Sequence, residues 1–133
     1  KFVRGRKLEG KSVVMNVKSL ETLVVNALDD IKGEHITVLD ISGQSDIADL
    51  MIVVSGNSNR QVKALARNVI DAAKENQFQV LGVEGFEEGE WILVDLIDVI
   101  VHVMIPSVRD FYDLENLWSL RPKRSGEEPP SEG

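Results

Sequence analysis

The sequence of 133 residues contains no cysteine. A disulfide scaffold, a zinc site built from cysteines and a thiol nucleophile are therefore excluded. The absence is typical of proteins in a reducing compartment, so we expect a cytoplasmic protein. Long apolar runs are missing as well, because the longest nearly uncharged stretches, such as Val99–Pro106, are far shorter than the roughly 20 residues that span a bilayer. We therefore expect no membrane contact.

Positive charge is also scarce. The chain has 22 acidic and 15 basic residues, and its formal net charge is −7. The segment from Met15 to Leu120 holds 18 of the acidic residues but only 7 of the basic ones, which gives it a net charge of −11. Nucleic-acid binding draws much of its affinity from Lys and Arg side chains that neutralise phosphates, so we expect little direct nucleic-acid contact. A basic protein partner suits this charge better.

Length and composition predict one folded domain between two segments of different character. With 43% hydrophobic residues, the chain can bury a single core. Residues 1–14 have no secretory apolar block and no clean periodicity, which predicts a non-core leader, either an artificial extension or a trimmed organellar transit segment. Residues 15–120 form the predicted domain. Residues 121–133 are rich in Pro, Gly, Ser and charge, which predicts a flexible tail.

Apolar residues at helical spacing predict three helices. The first covers Leu20–Ile31, with Ser19 as its N-cap and Lys32-Gly33 as its stop signal. The second opens on Ser58-Asn59-Arg60-Gln61, which matches the capping box. The third is expected to begin at Ser107, which follows a proline.

Five short segments rich in β-branched residues predict strands. They are Ile36–Ile41, Leu50–Val54, Gln79–Val83, Trp91–Leu96 and Val99–Met104. Together with the helices they give the order α-β-β-α-β-β-β-α, which predicts an α/β fold with a mixed β-sheet and flanking helices. Ile97-Asp98 joins the last two strands. Isoleucine is a poor candidate for the positive φ of a two-residue hairpin, so we expect a wider connection.

The polar residues that could carry chemistry favour structural roles. Asp46 with Asp49, or Asp95 with Asp98, could help to hold a hard cation, but the spacing is a weak signal. His102 lies within a predicted strand, and no pattern ties it to a triad, which favours a hydrogen-bonded structural histidine. The loop before the second helix lacks the Walker lysine, so helix capping is favoured over phosphate binding. We therefore predict no catalytic residue, metal or cofactor. A magnesium-dependent nucleotidyltransferase-like enzyme that uses Asp46, Asp49 or Asp95 stays open as the alternative.

Aromatic residues in acidic surroundings are the most unusual feature. Trp91 follows the acidic loop Glu84–Glu90, while Tyr112 and Trp118 lie among carboxylates in the last predicted helix. Large rings beside carboxylates suit a protein interface, where an aromatic anchor is desolvated and charge sets the orientation. For Phe111 and Trp118 we expect core packing instead. For Trp91, core and interface are equally favoured.

Six separated blocks of the sequence carry a family resemblance. They are Asp40–Asp49, Val54–Val62, Gly82–Gly85, Trp91–Asp95, Asp98–Val103 and Phe111–Trp118. In this order they resemble the ribosomal silencing factor family, also known as the Iojap family. The resemblance spans roughly Leu20–Trp118 and is more specific than any one short motif. One departure is Ile97, where the family commonly has glycine.

The resemblance implies a nucleotidyltransferase-like α/β fold without established transferase chemistry. It also implies a translation repressor that binds protein fourteen of the large ribosomal subunit, on the face that meets the small subunit. Binding there would block subunit joining sterically under nutrient limitation. Large-subunit assembly is an alternative role for the same contact surface. Family members can self-associate, so a homodimer of the free protein is a further expectation.

Candidate contact residues follow from positions that match the family. Trp91 and Leu96 match positions that the family uses against the ribosomal protein, and Tyr112 matches a neighbouring aromatic position. Three acidic loop residues are expected to steer these contacts toward a basic protein surface. They are Glu87, Glu88 and Glu90.

Overall fold

The computed structural model describes residues 16–116. In chain order these residues form α1 (Val17–Asp30), β1 (Glu34–Asp40), β2 (Leu50–Ser55), α2 (Asn59–Glu75), β3 (Gly82–Glu84), β4 (Trp91–Asp95), β5 (Val99–Met104) and α3 (Pro106–Tyr112). A helical turn follows at 114–116. None of the helices in this part of the chain is long and apolar enough to cross a membrane. The predicted leader at 1–14, the predicted tail at 121–133 and Trp118 lie outside the described residues.

The strands form one sheet with the order β1-β2-β5-β4-β3. The central strands β2 and β5 are parallel, and the other three neighbouring pairs are antiparallel. A parallel pair needs a long crossover, and here α2, β3 and β4 lie between the two strands in sequence. This topology confirms the predicted α/β class with a mixed sheet. The nucleotidyltransferase-like classification stays a prediction.

Alternation of side chains along the strands divides the core between two faces of the sheet. The first face packs against α1 and α2 and forms the larger cluster, which includes Ile52, Val54 and Val101. The second face forms a smaller cluster, against which side chains from α3 and the residues just after it also pack. Its buried members are Ile41, Ala48, Met51, Val53 and Met104. Because two helices shield the first face, strand side chains are more open to solvent on the second.

The structure corrects two of the three predicted helix starts and confirms the third. α1 begins earlier than expected, since its N-cap is Asn16, whose side chain accepts a hydrogen bond from the Ser19 N–H at 2.8 Å. At α2 the expected cap is confirmed, because the Ser58 hydroxyl accepts a backbone N–H of the first turn at 3.1 Å. α3 begins at Pro106 and not at Ser107. Proline suits the first helical position because it has no N–H to satisfy and its φ is already helical.

The two edge strands differ from prediction in their bounds. β1 begins at Glu34, and its pairing with β2 is irregular between Glu34 and Thr37, where His35 has a positive φ of 53°. β3 is confined to Gly82–Glu84, whereas the sequence predicts Gln79–Val83. An edge strand pairs on one side only, so its apolar pattern is a weaker guide to its length.

The connection between β4 and β5 is a short turn of three residues. β4 ends at Asp95 and β5 begins at Val99, so Leu96, Ile97 and Asp98 lie between the strands. The Leu96 N–H donates to the Val99 carbonyl at 2.9 Å and closes this turn. Ile97 has a positive φ of 75°, and its N–H donates to Asp95 Oδ1 at 2.9 Å. The three residues between the strands agree with the expectation of a connection wider than two residues. The strand pairing and the aspartate bond together hold a conformation that isoleucine alone disfavours.

Candidate protein-binding surface

The strand register places a row of side chains on the second face of β4 and β5. Trp91 pairs with Met104 and Leu93 with His102, while Ile100 lies two positions before His102. Directly paired residues of antiparallel strands point to the same face, as do residues two apart in one strand. Met104 and His102 are buried, whereas Trp91, Leu93 and Ile100 stay partly exposed. The sheet therefore presents an apolar strip to solvent.

α3 extends this strip with two aromatic side chains. The ring centre of Tyr112 lies 4.7 Å from that of Trp91, and the Phe111 ring stands edge-on to Tyr112 at 4.9 Å. Tyr112 is 50% exposed and Phe111 is 78% exposed. The prediction that Phe111 packs in the core is wrong, because α3 lies at the surface and leaves this ring in solvent. We refer to five side chains as the aromatic surface: Trp91, Leu93, Ile100, Phe111 and Tyr112.

A hydrogen bond to His102 fixes the Trp91 ring. The indole Nε1–H donates to His102 Nδ1 at 2.9 Å. Burial lowers the pKa of His102 to about 4, since a charged imidazole would lose its hydration there. The histidine is therefore neutral at physiological pH, and its Nδ1 is free to accept. This confirms the expected structural histidine. Because the indole N–H is satisfied inside the protein, Trp91 offers a partner an apolar ring rather than a donor.

Carboxylates surround the aromatic surface. Glu84 is paired with Leu93 and Asp95 with Ile100, so both carboxylates lie on the second face. Three further carboxylates adjoin the aromatic residues in sequence and are exposed: Glu90, Asp110 and Asp113. The one cation of α3, Arg109, is buried. An apolar centre with a negative rim suits a basic protein surface and repels phosphate.

The three predicted acidic contact residues lie in two different parts of the loop between β3 and β4. An asparagine amide at the start of α2 donates to the Glu88 carbonyl at 2.8 Å, which holds this part of the loop against α2. The side chains of Glu87 and Glu88 are exposed there. Glu90 directly precedes Trp91, and its carbonyl accepts the Ile105 N–H at 3.0 Å, beside the start of α3. The Glu90 backbone therefore lies beside the start of α3, whereas Glu87 and Glu88 lie nearer to α2.

Leu96 is separate from the aromatic surface. It is 3% exposed and belongs to the larger core cluster on the first face. Trp91 and Leu96 are five positions apart, and an odd offset along a strand places two side chains on opposite faces. That signal is present in the sequence. The structure thus brings Trp91 and Tyr112 together and leaves the Leu96 side chain in the core.

Arg109 has a role that the sequence patterns did not predict. It is 8% exposed and donates to Ser55 Oγ at 2.9 Å, to Thr37 Oγ1 at 3.1 Å and to the Glu34 carbonyl at 3.5 Å. It also donates to both carboxylate oxygens of Glu115, at 3.0 and 2.6 Å. The hydrogen bonds from Arg109 are the main cause of a lowered pKa at Glu115, so the pair stays charged. The only sequence signal is a single cation in a segment, residues 106–116, that also holds Asp110, Asp113 and Glu115.

The predicted aspartate pairs have structural surroundings. Asp95 Oδ1 accepts the Ile97 N–H, and the Asp49 N–H donates to the Asp98 carbonyl at 2.9 Å. Asp46 lies exposed in the loop after β1. Within residues 16–116, no group of three or more His, Cys, Asp or Glu side chains is arranged to hold a metal ion. The bonds of Asp95 and Asp49 stabilise turns and strand ends, as the structural interpretation predicts.

Known proteins resemble this chain along most of its length. The profile of the family described as "Ribosomal silencing factor during starvation" matches residues 15–132. A Chromobacterium violaceum protein named ribosomal silencing factor RsfS is 51% identical over 104 residues, which are 78% of this chain and 85% of that protein. A crystal structure of a protein from the same organism has a TM-score of 0.78 at 45% identity, and the match covers 88% of this chain and 98% of that one.

A more distant relative carries a different name. A mouse protein named for mitochondrial assembly of the ribosomal large subunit is 26% identical over 102 residues, which are 74% of this chain and 45% of that protein. The family profile and the bacterial relative agree with the resemblance of the six sequence blocks. The chain therefore belongs to the family of ribosomal silencing factors, which act on the ribosome.

Proposed function

We propose that this chain represses translation by binding the large ribosomal subunit through its protein fourteen, and that it sterically blocks joining of the small subunit. The observation that carries the proposal is the aromatic surface with its rim of exposed carboxylates. Family membership gives the ribosome as the target. The surface supports a basic polypeptide with an apolar contact area as the component that it binds.

The distribution of charge favours protein over RNA at this surface. RNA would bring phosphates against the exposed carboxylates of Glu84, Asp110 and Asp113. The nearby cation, Arg109, cannot offset that repulsion, because it is buried and bonded to Glu115. A cationic protein surface would instead gain orientation and speed of association from the same carboxylates.

Repression by this route needs no chemical step. A chain bound where the small subunit would dock excludes it by volume alone, so repression follows occupancy of the large subunit. We propose accordingly that the protein is not an enzyme and works in the cytoplasm.

The rings of Trp91 and Tyr112 are already in contact in the free protein. Little side-chain freedom is then lost on binding, which favours affinity.

The test combines a binding assay with a joining assay. Purified large subunits are pelleted with the protein, and joining with small subunits is followed in sucrose gradients. We expect saturable binding and fewer joined ribosomes as wild-type protein increases. Tyr112→Ala should weaken binding roughly thirtyfold, which corresponds to the loss of an aromatic anchor worth about 2 kcal/mol.

Val38→Ala is the matched control. Val38 is paired with Ile52 and so lies on the first face, where it is 37% exposed. Its truncation removes an exposed apolar side chain away from the aromatic surface and should leave binding unchanged. Normal subunit joining at saturating protein, or equal affinities of Tyr112→Ala and Val38→Ala, would contradict the proposal.

Leu96→Ala distinguishes a role of Leu96 in stability from a role in contact with the large subunit. Truncation of a buried leucine destabilises a protein by about 2–5 kcal/mol, so we expect a lower free energy of unfolding. The fraction that remains folded should bind large subunits as wild type does. A loss of affinity beyond the unfolded fraction would instead make Leu96 a contact residue, as the resemblance implies.

Large-subunit assembly is a second candidate, favoured by the name of the mouse relative. Assembly predicts immature large-subunit particles in cells that lack the protein, whereas repression predicts mature subunits that join more readily during starvation. Sedimentation profiles from such cells distinguish the two.

A homodimer that buries the aromatic surface would compete with the ribosome, so adding the ribosomal protein should then dissociate it.

A further inference from the structure

Arg109 attaches α3 to the sheet. α3 has seven residues, and Arg109 is the one that is buried. No side chain caps the N-terminus of the helix, and Val108 is its only residue that packs against the second core cluster. The Arg109 guanidinium, in contrast, reaches Ser55 on β2 and Thr37 on β1. Its hydrogen bonds therefore supply much of the connection between α3 and the strands beneath it.

The same residue also holds the chain beyond α3. The helix ends directly after Tyr112, because Asp113 has a φ of 48°. The Asp113 N–H donates to the Arg109 carbonyl at 2.9 Å. Glu115, on the far side of this turn, accepts two bonds from the Arg109 side chain. Phe111 and Tyr112 thus lie between two points that Arg109 fixes.

We propose that Arg109 is a positioning residue that holds Tyr112 against Trp91, so that the aromatic surface is formed before a partner arrives. This inference rests on the proposed function. Arg109 is too buried to serve as a main contact itself. A partly buried ion pair such as Arg109–Glu115 is a weak source of net stability, because desolvation offsets the attraction, but its hydrogen bonds select one geometry of α3. A surface held in one geometry loses less conformational freedom on binding.

The experiment compares Arg109→Met with its parent in a Trp118→Phe background, where Trp91 is the only tryptophan. Methionine keeps an unbranched side chain but removes every side-chain N–H donor. Near-ultraviolet circular dichroism and Trp91 fluorescence of the free protein report the contact with Tyr112. We expect both signals to change, and affinity for purified large subunits to fall roughly tenfold, as expected when two rings must be ordered on binding.

Val24→Ala is the matched control. Val24 is fully buried in α1 on the first face, so its truncation lowers stability without touching α3. It should keep the Trp91 signals and the affinity of the parent once the unfolded fraction is subtracted. If Arg109→Met also keeps the parental Trp91 signals, or loses no more affinity than Val24→Ala, the inference is overturned.

Glu115→Gln provides a second variant in case Arg109→Met does not fold. It keeps the length of the side chain and removes its charge, so we expect the same spectral change to a smaller degree. Parental signals in this variant would overturn the inference too. If the parent itself does not bind large subunits, the proposed function is contradicted. The inference about Arg109 is still tested in that case, because the spectra of the free protein report the contact between Trp91 and Tyr112.

Discussion

The tight turn between β4 and β5 predicts that Ile97→Gly stabilises the protein. Ile97 has a φ of 75°, a region in which a side chain with a Cβ is disfavoured. Positive φ costs an L-residue roughly 1–2 kcal/mol, whereas the extra freedom of glycine in the unfolded chain costs roughly 0.5–1 kcal/mol. The difference is a gain of about 1 kcal/mol in the free energy of unfolding. For a domain of this size that gain should raise the melting temperature by about 4 °C.

Packing should offset little of this gain, since Ile97 belongs to neither core cluster. Urea unfolding and scanning calorimetry at neutral pH measure the two quantities. Ile97→Ala is the matched control, because it removes the side chain beyond Cβ but keeps Cβ itself. We expect no gain from it.

Two results would refute this reasoning. A loss of stability in Ile97→Gly would mean that contacts of the isoleucine side chain outweigh the backbone strain. An equal gain in Ile97→Ala would mean that the stabilisation comes from removing partly exposed apolar surface, and that φ has no part in it.

Two further predictions concern the surroundings of Trp91. Burial lowers the pKa of His102 from 6.5 to about 4, so between these values the unfolded chain binds more protons than the folded one. From pH 7.5 to pH 5 the free energy of unfolding should therefore fall by about 2 kcal/mol more in wild type than in His102→Gln, and equal falls in urea titrations would contradict this. Gly85 has a φ of 80°, and a Cβ there would collide with the Trp91 carbonyl oxygen. Gly85→Ala should destabilise the protein by about 2 kcal/mol or more in urea unfolding. Gly43→Ala, where the added methyl group meets nothing, should have little effect.

Sequence patterns predict this fold best where an apolar run is buried continuously. β5 has the predicted bounds, Val99–Met104, because it lies between two strands and its apolar run is buried by both faces of the sheet. The patterns predict helix starts less well. Asn16 and Ser19 are both good caps, and which of them acts depends on one hydrogen bond rather than on the apolar spacing.

The candidate surface could be predicted only in part. The acidic context of Trp91 and Tyr112 is visible in the sequence, but their contact joins β4 to α3 and depends on how α3 is held. Arg109 makes that attachment through Ser55 and Thr37, which lie 54 and 72 positions earlier in the chain. No local pattern encodes a hydrogen bond over such a separation. The prediction of core packing for Phe111 is wrong for a related reason, since helical spacing does not show whether a short helix lies on the core or at the surface.

The most direct measurement is a photocrosslink from the aromatic surface to purified large ribosomal subunits. A benzophenone amino acid in place of Phe111 keeps an aromatic ring at an exposed position, and the same probe in place of Val38 reports the opposite face. We predict a crosslink from position 111 to a basic ribosomal protein, protein fourteen, and none from position 38. A crosslink from position 111 to ribosomal RNA, or capture of the subunit from position 38 alone, would contradict the proposed mode of binding.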